Sequence, residues 1–173
     1  MSQTVKNAGR INQFREAVIK SLKGALPDVR DCNCQFGRFN LEELETQMLV
    51  VPAIRVAVLE SRLHCVANGQ MRADLHLGAF IVTAGKERDV QNWLLAEAIA
   101  VLCHSGQLWG LTGLSAPREV QIEPIISAAI KQRGVAISVV EWQQDLHHLG
   151  QDIFCDAGQV KRGLISLDNE VLA

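Results

Sequence analysis

From Met71 to Ile81 every odd position is apolar: Met71, Ala73, Leu75, Leu77, Ala79 and Ile81. The even positions Arg72, Asp74 and His76 are polar, until Phe80 and Val82 fill both sides. Side chains alternate across a strand with a period of two, so this run commits the chain to a sheet. The strand it describes is wet on one face at first and buried on both faces later. Just upstream, Ala53 to Leu59 is rich in strand-forming residues, with Pro52 at its start, where a missing backbone donor costs least. Asn68-Gly69 marks a turn between the two runs, so they read as an antiparallel hairpin with a polar tip around Ser61 to Gln70.

The remaining segments supply partners for that hairpin. Ile11, Phe14, Val18, Leu22 and Ala25 recur at helical spacing, which predicts an amphipathic helix over 10–25 stopped by Pro27. Val29 to Phe36 reads as a short strand, and Asn40 can cap a short helix over 41–47. Asp89 caps a helix running to His104, with Val90, Trp93, Leu94, Ala98, Val101 and Leu102 expected on its buried side. Ser105 to Pro117 reads as a packed loop, and Arg118 to Glu123 alternates as a strand. Pro124 to Gln132 is open between helix and strand. Val135 to Trp142 is apolar on both faces and is expected to be a central strand, turning polar from Gln143 as an edge or protruding end would. The sum is an α+β fold over residues 1–173: a single domain with a mixed, mainly antiparallel sheet of about four to five strands, packed by about two to three helices. The last part, from about residue 150, reads as a C-terminal arm.

Charge narrows the choice of partners. The net charge of −2 implies no general affinity for nucleic acid or an anionic membrane. With no Tyr, and with basic residues not interleaved with aromatics, stacking of single-stranded nucleic acid is disfavoured as well. Residues 1–86 carry 11 Lys and Arg against 8 Asp and Glu, whereas residues 87–173 carry 6 against 11. If those halves form separate faces, opposite signs suit head-to-tail packing of copies. The first residues show no charged and apolar signal-peptide pattern, and Trp93 to Cys103 is too short to span a bilayer, so a cytosolic setting is expected. Five scattered cysteines, an odd number, favour reduced thiols.

Candidate chemistry is sparse, and no catalytic, metal or cofactor site is expected. Cys32-Asn33-Cys34 would put both thiols on one strand face, but lacks the spacing and second pair of a structural zinc site. His147-His148 and His64-Cys65 are adjacent residues that face opposite ways on a strand, and a solvated strand edge is expected for the former. Cys103-His104 lies at a helix C-terminus, whose dipole disfavours a thiolate. Gly110-Leu111-Thr112-Gly113 lacks the Lys-Ser/Thr of a phosphate loop. Glu123 and Glu141 read as exposed strand positions. Trp93, Trp109 and Trp142 sit among apolar neighbours and read as core, with Trp109 the one expected to anchor a neighbouring subunit.

Taken in order, an N-terminal helix leads to Pro52-Ala53-Ile54-Arg55-Val56-Ala57-Val58, then to the long strand Arg72 to Val82 and a helix after Arg88-Asp89. Trp109-Gly110-Leu111 and the strand Gly134 to Trp142, ending Gln143-Gln144, complete the pattern. Over about residues 10–150 this resembles the tail terminator, or tail completion, proteins of long-tailed bacteriophages, especially Mu-like phages. The resemblance implies a non-enzymatic virion protein that forms a ring, a hexamer, on the tail tube. There it ends tube polymerisation and joins the neck connector, with a sheath as a further partner where the tail has one. It implies a location in the virion tail or neck, reached by assembly in the host cytoplasm. The interface residues expected under that reading are Arg72, Asp74, His76, Trp109, Gln143, Gln144, His147 and His148. A different phage neck or tail adaptor of related fold, or a small cysteine-dependent enzyme, are the alternatives.

Overall fold

The computed structural model describes residues 9–39, 49–104, 108–126 and 128–150. The expected helix over 41–47 and the arm beyond Gly150 lie outside the described residues. In chain order the elements are α1 (Gly9–Ala25), β1 (Asp31–Phe36), β2 (Ala53–Cys65), β3 (Met71–Ala84), α2 (Arg88–His104), β4 (Arg118–Ile125), α3 (Ala128–Gln132) and β5 (Val135–Leu149). The five strands form one sheet in the order β1-β2-β3-β5-β4. Only β1 runs parallel to its neighbour; the other pairings are antiparallel, so the sheet is mixed as expected. No helix among the described residues is long and apolar enough to cross a membrane.

Period-two alternation divides the core into two layers. Ile54 and Val56 of β2, Leu75, Leu77 and Ala79 of β3, and Val140 and Trp142 of β5 face α1 and α2. Ala53, Ala57, Phe80, Val82, Ile137 and Val139 point the other way, where Ile130 of α3 and Phe39 pack against them. The hairpin of β2 and β3 is longer than its polarity suggests. Pairing runs from Ala53 opposite Val82 to Cys65 opposite Met71, leaving only Val66 to Gln70 as the turn. Exposed residues are ordinary in a strand paired on one side, so polarity alone did not locate the tip. At Gly78 an added Cβ would lie 3.1 Å from Leu59 and 3.2 Å from Val139, so a larger residue would push the side chains that close over it a few tenths of an ångström aside.

Along α1 the buried stripe is Phe14, Val18 and Leu22, as the spacing predicts, although Ala25 is exposed. In α2 most of the expected face is turned outward, although Leu102 packs against the core and Ala98 is half-buried. Asn92, Leu95, Ala96, Ile99 and Cys103 are buried, whereas Val90, Trp93, Leu94 and Val101 are 53–71% exposed. Apolar residues surround much of this helix, so periodicity could not choose between two apolar faces. Asn92 settles the choice. Its amide donates to the carbonyl oxygens of Ile81 and Ala136 and to Thr83 Oγ1, at 3.1–3.2 Å, and its oxygen accepts from Ser138 Oγ. A buried amide this fully bonded pins the helix to β3 and β5. Trp93 is therefore not core.

β5 also corrects its expected ending. It continues to Leu149, paired with β3 as far as Met71, and on its other side it meets Arg118 of β4 and a bridge from Leu114 to Leu146. Gln143 to His148 thus lie inside the sheet and form neither an edge nor a protrusion. Between them and the loop before β4 lies a buried polar knot. Gln144 is fully buried; its Oε1 accepts from the indoles of Trp109 at 3.0 Å and Trp142 at 3.3 Å, and its Nε2 donates to Ser115 O at 2.7 Å. Trp109 is 4% exposed, its ring 5.9 Å from that of Trp142. Neither Trp109 nor Gln144 can serve as a surface anchor, because each satisfies the other's buried polar group.

Candidate interaction surface

A bulge between Val58 and Glu60 shifts the register of β2 by one residue. Before it the even positions Ile54 and Val56 face the helices. After it Glu60, Arg62 and His64 stand opposite His76, Asp74 and Arg72 on the far face of the sheet. β5 adds Glu141, Gln143 and Asp145 from the next strand. The distal half of the sheet thus carries helices on one face and a ladder of charges on the other. Bulges commonly redirect side chains in this way.

The charges pair across the strands. His64 Nε2 lies 2.8 Å from Asp74 Oδ2, and Arg72 Nε lies 3.7 Å from Asp74 Oδ1. Glu141, only 3% exposed, accepts from His76 Nε2 and from Arg38 Nη1, each at 2.9 Å. Arg118 Nη2 sits 2.7 Å from Asp145 Oδ1, and Gln143 Nε2 donates to Glu119 Oε2. Burial alone would raise the Asp145 carboxyl, but the hydrogen bond and charge of Arg118 outweigh it and hold the pKa below the ordinary carboxylate value. The same hydrogen bond raises the pKa of Arg118. Asp74, His76 and Arg118 side chains keep 26–41% of their surface. The depression they line with Arg62 and Gln143 encloses about 130 Å³, well below the ~300 Å³ at which small-molecule pockets begin. A shallow surface of alternating sign suits another protein, for which it sets register and orientation.

Of the residues expected at an interface, Arg72, Asp74, His76 and Gln143 meet on this face. Trp109 and Gln144 lie on the other face, in the buried knot. His147 and His148 close β5, where the His147 amide donates to Gly113 O at 2.8 Å and His148 adopts a φ of 61°. Both are half-buried, not a solvated edge. Gly113 itself has a φ of +74°, which favours glycine, and an added Cβ would lie 3.0 Å from the Arg10 guanidinium and 3.1 Å from His148. The buried Glu141 replaces the exposed residue expected there. Arg38, Glu60, Arg62, Arg118 and Asp145 were also missed as members. The alternation Glu141, Gln143, Asp145 was visible in the sequence, but the bulge that recruits β2 was not.

Among the described residues, the four thiols show no catalytic grouping. Burial pushes Cys103 up to about 12 and Cys32 up to about 11. Cys34 and Cys65 are exposed on separate strands. Among the described residues no group of three or more His, Cys, Asp or Glu is placed to hold a metal ion. Compared with known proteins, the chain matches no family model and no curated protein.

Proposed function

We propose that the chain is a non-enzymatic structural subunit that closes into a hexameric ring on the end of a phage tail tube, stops its growth and offers a joint to the neck connector. The observation that carries this reading is the charged blade: the long strands β2, β3 and β5, whose distal face, among the described residues, bears paired charges in place of a helix. A ring that caps a polymer needs an end surface matched to the polymer's last layer, distinct from the sides by which copies meet. The blade, alternating in sign, is suited to that end contact. The sequence resemblance to tail terminators supports the same assignment.

The test is co-purification of the full chain with tail tube protein. Arg62→Glu with Arg72→Glu should weaken capture of tube protein at least tenfold while leaving the ring intact, and added salt should weaken the native contact. Capture of a head-completion or portal protein in place of tube protein would move the chain to another neck position. Undiminished capture by the double variant would remove the blade from the tube contact.

A further inference from the structure

β1 stops at Phe36, opposite Val58, whereas β2 continues to Cys65. Among the described residues, no strand pairs with the outer side of β2 beyond Val58. The gap is a groove of about 630 Å³ between α1 and the hairpin, floored by Ile11, Val58, Leu59 and Leu149. Phe36 (94% exposed) and Leu63 (57% exposed) stand at its lip. Arg10 and Arg15 of α1 line one wall of it, and Glu60 of β2 adds one carboxylate. An apolar depression with two cations along one wall fits an amphipathic helix with acidic residues on the matching flank.

The same chain presents such a helix. On the outer side of α2, Val90, Trp93, Leu94 and Val101 recur at helical spacing and are all more than half exposed. Asp89 and Glu97 lie on the same stretch. Single exposed hydrophobes are ordinary, but Val90, Trp93 and Leu94 adjoin on one helical stripe, with Val101 one turn beyond Glu97. α2 packs over β3, β5 and β4, while the groove lies at the β1–β2 side of the sheet. The two surfaces share no residue, so one copy can offer its helix and receive another at the same time.

We propose that the outer face of α2 of one copy docks in the groove between α1 and the hairpin of the next, with Trp93 and Leu94 against Phe36 and Leu63, and with Asp89 and Glu97 facing Arg10 and Arg15. This rests on the ring reading above and names the contact that would build the ring. Different patches meeting head to tail generate a ring when the rotation closes. Complementary charge sets the orientation of the helix in the groove.

The experiment uses two surface variants of the full chain, Trp93→Asp, which spoils the helix, and Phe36→Asp, which spoils the groove. Both positions are exposed, so circular dichroism should match the native chain; Leu94→Asp and Leu63→Asp serve as a second pair. By native mass spectrometry, each variant alone should be monomeric, its assembly midpoint raised roughly 30-fold or more, as for loss of an interface hot spot. Mixed, they should form a 1:1 dimer and stop, because only one intact helix and one intact groove remain. Variants that still form native rings would overturn the docking contact while leaving the ring reading in place. Monomeric variants that fail to pair on mixing would overturn the mating of these two faces. A native chain that never assembles would overturn both readings.

Discussion

The carboxylate of Glu141 sits almost wholly out of solvent, yet it has two donors, His76 and Arg38, each at 2.9 Å. When that carboxylate is removed, Arg38, 62% exposed, turns to water, whereas His76 keeps only 26% of its surface. Glu141→Leu should lower unfolding stability by about 1–2 kcal/mol in urea titration, chiefly through the lost His76 hydrogen bond. Asn92 is the equivalent point on the other face; Asn92→Ala, which orphans the Ser138 hydroxyl, should cost about 1–3 kcal/mol by the same measurement. Asp31 titrates low because Arg55 donates to it at 2.6 Å, and the charges of Arg55 and Lys23 reinforce this. A depressed carboxyl lends stability above its unfolded value, and that stability is lost as pH falls through the lower folded value. Stability should therefore decline below about pH 4, and Asp31→Asn should flatten that acid limb in pH-dependent melts. Neither Glu141 nor Asn92 could be recognised from the sequence. Each is a polar residue in a regular element, and burial there is set by which neighbours the topology delivers.

At the scale of elements, the strands and the buried face of α1 were legible, and the face of α2 was not. The alternation from Met71 to Ile81 encodes a strand directly, because period two has only two faces to choose between. The run from Val135 to Trp142, apolar on both sides, correctly marks a strand between two others. α2 failed as a reading because Val90, Trp93, Leu94 and Val101 make as good a stripe as Leu95, Ala96, Ile99 and Cys103. Only the hydrogen bonds of Asn92 break the tie. The charged blade was half legible: Arg72, Asp74, His76 and Gln143 stood out, while the bulge after Val58 that aligns Glu60, Arg62 and His64 with them has no sequence signature. The burial of each element also sets thiol chemistry. Cys103 and Cys32, with pKa values pushed to about 12 and about 11, should alkylate far more slowly at pH 8 than the exposed Cys34 and Cys65. Peptide mapping after timed iodoacetamide treatment measures this. A fast-reacting Cys103 would revive the thiol-enzyme alternative.

Across the whole molecule, the sheet divides its surfaces by task. One face is filled by α1 and α2, the proximal part of the other by α3, and the distal part of that second face carries the charged blade. Apolar residues stand on the outer side of α2, away from the blade, and at the lip of the groove beside β1, which meets the blade at Glu60. The proposed capping ring would place its lateral contacts on these apolar surfaces and its axial contact on the blade. The decisive measurement is the mass of the full chain in solution at tens of micromolar, by native mass spectrometry or light scattering. The account predicts a concentration-dependent species at six times the 19.0 kDa chain mass. A single species at 19.0 kDa across that range, unchanged by added tail tube protein, would contradict it.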